Sequence, residues 1–278
     1  MADSFATRLS ERVDRHGPLC VGIDPSGAVV RQWERADDVE GLEYVARSTL
    51  EAAVDTAAAV KVQVAFFERF GSSGYRVLER VLSEAHGASL LVIADAKRGD
   101  VGSSSVGYAE AWLTDRSPLA VDAVTASPFL GVGSLAPLLS QAHQTGRAVF
   151  VLAATSNDEG RAVQGAITDD GVPVDVSVLR AVATLNERGG LAGAGGAVVG
   201  ATRARPAFDL SQLGGPLLVP GVGAQGATVE RVERLLRGVP RGTFLVNVGR
   251  AILERGPVRR ELRDAVRRWR DDLAEVFP

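Results

Sequence analysis

Lys61 and Lys97 are the only lysines in the chain; every other member of its 31 Lys+Arg residues is an arginine. A guanidinium serves as well as an ammonium wherever a cation merely solvates a surface, yet it stays protonated and is a poor proton donor. Two lysines kept in so arginine-biased a chain therefore mark positions where a tunable acid or a compact charge is needed. Lys97 lies in Ile93-Ala94-Asp95-Ala96-Lys97-Arg98-Gly99-Asp100. Residues two apart on a strand share a side, so Asp95 and Lys97 face the same way while Arg98-Gly99 turns the chain and carries Asp100 elsewhere. Such an arrangement, an ammonium between carboxylates, keeps the lysine charged and oriented as an acid, and its carboxylates confront an incoming anion with fixed negative charge. An ordinary ion-pair network is the alternative for such spacing.

A second group of residues is Val219-Pro220-Gly221-Val222-Gly223-Ala224-Gln225-Gly226. Its glycines satisfy G-x-G-x-x-G after a strand and before a helix, the pattern of a dinucleotide fingerprint. No acidic residue closes the next strand, which ends Asn247-Val248-Gly249-Arg250, so that reading fails. Backbone N–H groups of such a loop, with the bidentate guanidinium of Arg250, suit a phosphate instead.

These residues need elements to hold them. Short apolar runs predict strands at 19–24, 59–64, 90–95, 120–125, 148–153, 196–201, 216–219 and 243–248. Helical patterns fall between them at 42–58, 75–86, 106–113, 133–145, 176–187, 228–237 and 256–276. Eight mostly apolar strands alternating with helices imply a parallel sheet covered on both faces and closed into a TIM (β/α)8 barrel. An extra helix at 4–16, with Phe5, Leu9 and Val13 on one stripe, is expected to close the bottom of the barrel. In this fold the active site lies at the C-terminal ends of the strands. Polar residues there are Asp24, Lys61, Asp95 with Lys97, Thr125, Thr155 with Ser156, the glycines from Gly221, and residues 247–250, a set that includes both lysines. The Gly/Ala-rich run 189–196 leads into a strand and marks no boundary, so residues 1–278 are read as a single domain.

Composition narrows the function classes. With 278 residues, 46% hydrophobic and 23% charged, the chain can bury one substantial core and is neither disordered nor disulfide-stapled. A net charge of -3 offers no positive field for nucleic acid. Cys20 is the only cysteine, no leader pattern opens the chain, and no apolar run approaches the length of a membrane span. A soluble, cytoplasmic protein is expected.

Taken together, Cys20-Val21-Gly22-Ile23-Asp24-Pro25, the segment from Val60 through Lys61 to Glu68, Asp95-Ala96-Lys97-Arg98-Gly99-Asp100, Ala154-Thr155-Ser156-Asn157, the Gln225 loop and the Arg250 loop resemble the orotidine 5'-phosphate decarboxylases. The resemblance is to the longer bacterial subgroup, and DAKRGD is its most specific part. It implies decarboxylation of orotidine 5'-phosphate to UMP with no metal or organic cofactor, by a homodimer with sites near the subunit interface. It further implies a charged tetrad of Lys61, Asp95, Lys97 and a partner subunit's Asp100, with Lys97 as the acid that protonates C6. Asp24 with Lys61 would hold ribose hydroxyls, Asp100 and Ser104 would reach the ribose across the interface, and Ser156 would bond the uracil ring. Gln225, Gly249 and Arg250 would hold the phosphate. The chain departs from the subgroup in having Ser104 where threonine is frequent, and Asp158-Glu159 where Pro-Gly is common.

Two other readings compete. Related barrels that act on sugar phosphates through a metal-bound enediolate share an Asp-x-Lys-x-x-Asp pattern, but need a carboxylate where this chain has Lys61. A catalytically silent nucleotide-binding barrel would have lost part of the lysine-aspartate set, which here is complete.

Overall fold

The computed structural model describes residues 3–188, 190–191, 193–203 and 205–278. Eight strands form a closed barrel: β1 (Leu19–Ile23), β2 (Ala59–Gln63), β3 (Leu91–Arg98), β4 (Ala123–Ala126), β5 (Ala148–Ala154), β6 (Gly195–Val199), β7 (Leu217–Val219) and β8 (Phe244–Val248). Each pairs in parallel with its sequence neighbour, and β8 closes on β1 through Cys20↔Asn247. This is the TIM barrel expected from the sequence.

Alternate residues of the strands build two apolar layers. Cys20, Ala59, Leu91, Ile93, Ala123, Ala148, Phe150, Val198, Leu218 and Leu245 form an inner cluster, and Phe5, Leu9 and Val13 of the helix Phe5–His16 belong to it. Phe5 meets Phe150 edge to face at 5.9 Å, so the N-terminal helix seals the bottom of the barrel as its stripe predicts. The outward residues, among them Val21, Val60, Val92, Val124 and Val246, pack beneath the surrounding helices.

Helix ends depart from the sequence reading where caps and turns override propensity. The helix expected at 42–58 is Val39–Ala53: the Asp38 carboxylate accepts from Gly41 N–H at 2.9 Å and starts it early, and Asp55, at φ 60°, lies in the turn that follows it. The helix expected at 256–276 is Arg259–Val276, beginning after Gly256-Pro257, and a one-turn helix at Arg250–Leu253, not expected from the sequence, precedes it. Of the Gly/Ala-rich run, Gly189 and Ala192 lie outside the described residues, and β6 already begins at Gly195.

β3 and β4 differ most from the expected strands. β4 starts three residues late, at Ala123: Ser117 and Ala120 close turns, Val121 N–H donates to Trp112 O at 3.0 Å, and Asp122 lies at the bottom of the barrel, where its carboxylate accepts from Val92 N–H at 2.8 Å and from Arg8. β3 runs three residues further, to Arg98, across a break in register: Ala94 pairs with Val124 and Arg98 with Ala126. Residues 95–97 thus oppose Thr125 alone. A bulge of this kind re-aims side chains at a barrel rim, and this one carries both Asp95 and Lys97.

Candidate active site

The C-terminal strand ends surround a cavity of about 260 Å³. Its lining includes Asp24, Lys61, Gln63, Asp95, Lys97 and Thr125 on one side, Leu152, Val198, Leu218 and Pro220 on its apolar side, and Ser156, Gln225, Asn247, Gly249 and Arg250 around the rest. Eight of the ten residues expected from the sequence are therefore brought together. Asp100 and Ser104 do not line it; Asp100 follows the end of β3, and Ser104 is exposed on the helix Gly102–Leu113.

Charges alternate along the row from β1 to β3. Lys61 Nζ lies 3.8 Å from Asp24 Oδ1 and 2.9 Å from Asp95 Oδ2, and Lys97 Nζ lies 2.7 Å from Asp95 Oδ1. Lys61 is buried; burial alone would lower its pKa, and the carboxylates of Asp95 and Asp24 outweigh it and raise the ammonium above its ordinary value. Burial likewise opposes ionisation of Asp95, and Lys61 and Lys97 overcome it, holding the carboxyl well below the usual carboxylate range. Lys97 is the accessible cation of the row, with 47% of its side chain exposed against 4% for Lys61. Beneath them Cys20 is fully buried and its thiol is pushed up to about 12 by desolvation, which leaves it inert.

The sequence reading missed Gln63. Its amide sits between Asp95 and Lys97; with its NH2 toward the carboxylate it donates to Asp95 Oδ2 at 2.7 Å and accepts from Lys97 Nζ at 3.2 Å. Strand alternation from Lys61 gives Gln63 the same side, and that signal was legible. Arg98, within the DAKRGD run, turns away from the cavity. It pairs with Glu68, donates to Ala96 O at 2.9 Å, and lies over the rings of Tyr108 and Trp112, so it anchors the end of β3.

The opposite wall suits a phosphate. Gly221 and Gly223 take φ of 99° and 75°, conformations that glycine adopts without strain, and they bend the loop so that Gln225 reaches the cavity. At the end of β8 a Cβ on Gly249 would meet Asp24 Oδ2, so a side chain there would have to displace that carboxylate. The Arg250 side chain is exposed at the cavity rim, without a carboxylate partner among the described residues. Between these walls lies the loop after β5. Asp158–Gly160 form a 3-10 turn leading into the one-turn helix Arg161–Gln164. Gln164 braces it by accepting from Thr155 N–H at 3.0 Å and donating to Thr155 Oγ1 at 2.6 Å. The Asp158-Glu159 departure is thus accommodated with Ser156 on the cavity.

A closed parallel barrel with an alternating lysine-aspartate row and a glycine-arginine cradle at its C-terminal mouth defines a TIM-barrel enzyme with its site at the strand ends. Residues 17–265 match the Orotidine 5'-phosphate decarboxylase / HUMPS family, and the chain belongs to it. An orotidine 5'-phosphate decarboxylase of Streptomyces coelicolor is 46% identical over 268 residues, covering 96% of each chain. That of Salinispora tropica is 48% identical over 255 residues, covering 92% of this chain and 91% of the relative. A Streptomyces avermitilis protein provisionally given the same name in its crystal structure is 45% identical, with a TM-score of 0.92 over 99% of this chain and 96% of its own.

Proposed function

We propose that this protein decarboxylates orotidine 5'-phosphate to UMP and CO2 in pyrimidine nucleotide biosynthesis, as a cytoplasmic homodimer that uses no metal or organic cofactor. The observation that carries the reading is that the Asp24-Lys61-Asp95-Lys97 row and the Arg250 guanidinium, which has no carboxylate partner among the described residues, line one cavity. Gln225, Gly249 and Arg250 take the phosphate, Asp24 and Lys61 the ribose hydroxyls, and Ser156 the pyrimidine edge. Binding energy from this remote anchor holds the substrate carboxylate near Asp95. The C6–carboxylate bond then breaks heterolytically, CO2 leaves, and the electron pair stays on C6. Fixed ammonium groups stabilise that charge, and Lys97 delivers its proton to C6 and is reprotonated from water.

Lys61 separates this reading from the metal-dependent sugar-phosphate branch. Its ammonium fills the space between Asp24 and Asp95, where a divalent cation would need an additional carboxylate. Release of CO2 from carboxyl-labelled orotidine 5'-phosphate tests both points. Turnover unchanged by exhaustive chelation is expected; no release, or a loss restored by Mg²⁺, would overturn the assignment.

The homodimer reading is supported by an exposed apolar group beside the mouth: Val101, Val106, Phe129 and Leu130, with Phe129 80% exposed. Asp100 and Ser104 flank Val101 in the sequence, so a second copy covering this face brings both toward the partner's cavity.

A further inference from the structure

The general acid of this site stands on an unusual backbone, and one hydroxyl holds it there. Lys97 has φ of 49° within a strand; the other non-glycine residues with positive φ among those described, Glu34, Asp55 and Ser89, lie in turns between elements. A lysine in this region of backbone space persists only when its surroundings over-determine it. Here the ladder to β4 is broken between Ala94 and Arg98, and the Lys97 N–H bonds a side chain, donating to Thr125 Oγ1 at 3.0 Å. The hydroxyl that accepts from this amide has its own hydrogen free, and donates it to Asp95 Oδ1 at 2.9 Å, the oxygen that also receives the Lys97 ammonium at 2.7 Å. Thr125 is 1% exposed, so water has little access to either bond. One hydroxyl thus fixes Lys97 at both ends, its backbone directly and its ammonium through Asp95.

We propose that Thr125 is a positioning residue for the proton transfer, holding the Lys97 ammonium at the height where it meets the reacting carbon. This rests on the decarboxylase reading above. Other donors, from Lys61 and Gln63, reach Asp95 Oδ2 and fix the carboxylate without touching the Lys97 backbone. Without the Thr125 hydroxyl, the Lys97 amide has no acceptor in the broken ladder and the strained φ relaxes, which moves Nζ. A valine at 125 keeps the shape and removes the bond.

The test measures kcat and KM for orotidine 5'-phosphate, together with UMP affinity, in wild type, Thr125→Val, Thr125→Ala and Thr125→Ser. Loss of the hydroxyl is expected to lower kcat by at least about tenfold while KM and UMP affinity stay within about threefold, the pattern of an interaction that matters in the transition state. Serine, which keeps the hydroxyl, is expected to restore most of the rate. The proposal is overturned if valine retains wild-type kcat, if serine falls as far as valine, or if kcat and UMP affinity fall together. Should valine not fold, alanine gives the same reading, and failure of both to fold would assign the hydroxyl to stability and overturn the proposal as well. An inactive wild type would instead refute the decarboxylase reading.

Discussion

At the scale of single residues, the roles proposed for Lys97 and Arg250 separate the chemistry from the binding. Both are cations, both are accessible, and replacing each is expected to damage a different step. If Lys97 supplied only charge, arginine would serve, since it does so at nearly every other cationic position of the chain. A guanidinium cannot give up its proton at neutral pH, so Lys97→Arg is expected to lower kcat by at least about a hundredfold with UMP affinity largely kept. Turnover within tenfold of wild type would show that the acid is another group. Arg250 predicts the opposite split. Its guanidinium has no carboxylate partner among the described residues, so its removal leaves no buried charge behind. Arg250→Ala is expected to weaken UMP by about 2 to 4 kcal/mol, the usual loss for a charge-assisted bidentate contact to a desolvated anion. Calorimetry with uridine is the control: it should bind mutant and wild type alike, and parallel weakening of uridine would make Arg250 structural.

Elements determine where these residues stand, and the bottom of the barrel offers a test that leaves the site untouched. Asp122 precedes β4 and ties the helix Phe5–His16 to the sheet through Arg8, which also donates to Gly146 O at 3.1 Å. Burial opposes its ionisation, but His86 at 3.6 Å, Arg8 and the Val92 N–H hold the carboxyl below the usual range. A depressed carboxyl stabilises the fold fully above its unfolded pKa of about 3.9, and that contribution is lost as pH falls from there through the folded value. Asp122→Asn is therefore expected to cost about 1 to 3 kcal/mol at neutral pH, a deficit that shrinks near pH 3, with kcat unchanged. Denaturant unfolding at the two pH values checks it, and an equal gap at both would show that charge is not involved. The same elements explain what the sequence reveals. Eight strands were legible because their apolar runs are bounded by polar ends; alternation then gave Asp95 and Lys97 a common side, and position toward a strand's C-terminal end added Lys61. The bulge was not legible: Asp95-Ala96-Lys97 reads as regular alternation whether or not the ladder breaks, and only β4 in place shows that Thr125 faces three residues. Helix ends were misjudged because a cap such as Asp38 differs from any surface aspartate only through the amide it meets.

For the whole molecule, the barrel has one sealed end and one open end, and the open end lacks two of the expected residues. Asp100 and Ser104 stand outside the cavity, near in sequence to the exposed Val101 and Val106, and Phe129 and Leu130 are exposed as well, the apolar group on which the proposed dimer rests. Gly99 permits this placement, because a Cβ there would collide with Ser127 O and push the turn off β4. If Asp100 serves a second copy, two defective chains can repair one another. Lys97→Ala and Asp100→Ala subunits, each inactive or nearly so alone, are mixed and allowed to exchange. In a mixed dimer one site takes Lys97 from the Asp100→Ala chain and Asp100 from the Lys97→Ala chain, and that site is wild type. Random pairing makes about half of the dimers mixed, each with one intact site, so roughly a quarter of wild-type activity should return. If Asp100 acted within its own chain, every site in every dimer would lack one group. Subunits shown by mass spectrometry to exchange freely, yet regaining no activity, would therefore put Asp100 in its own subunit's site or outside the chemistry.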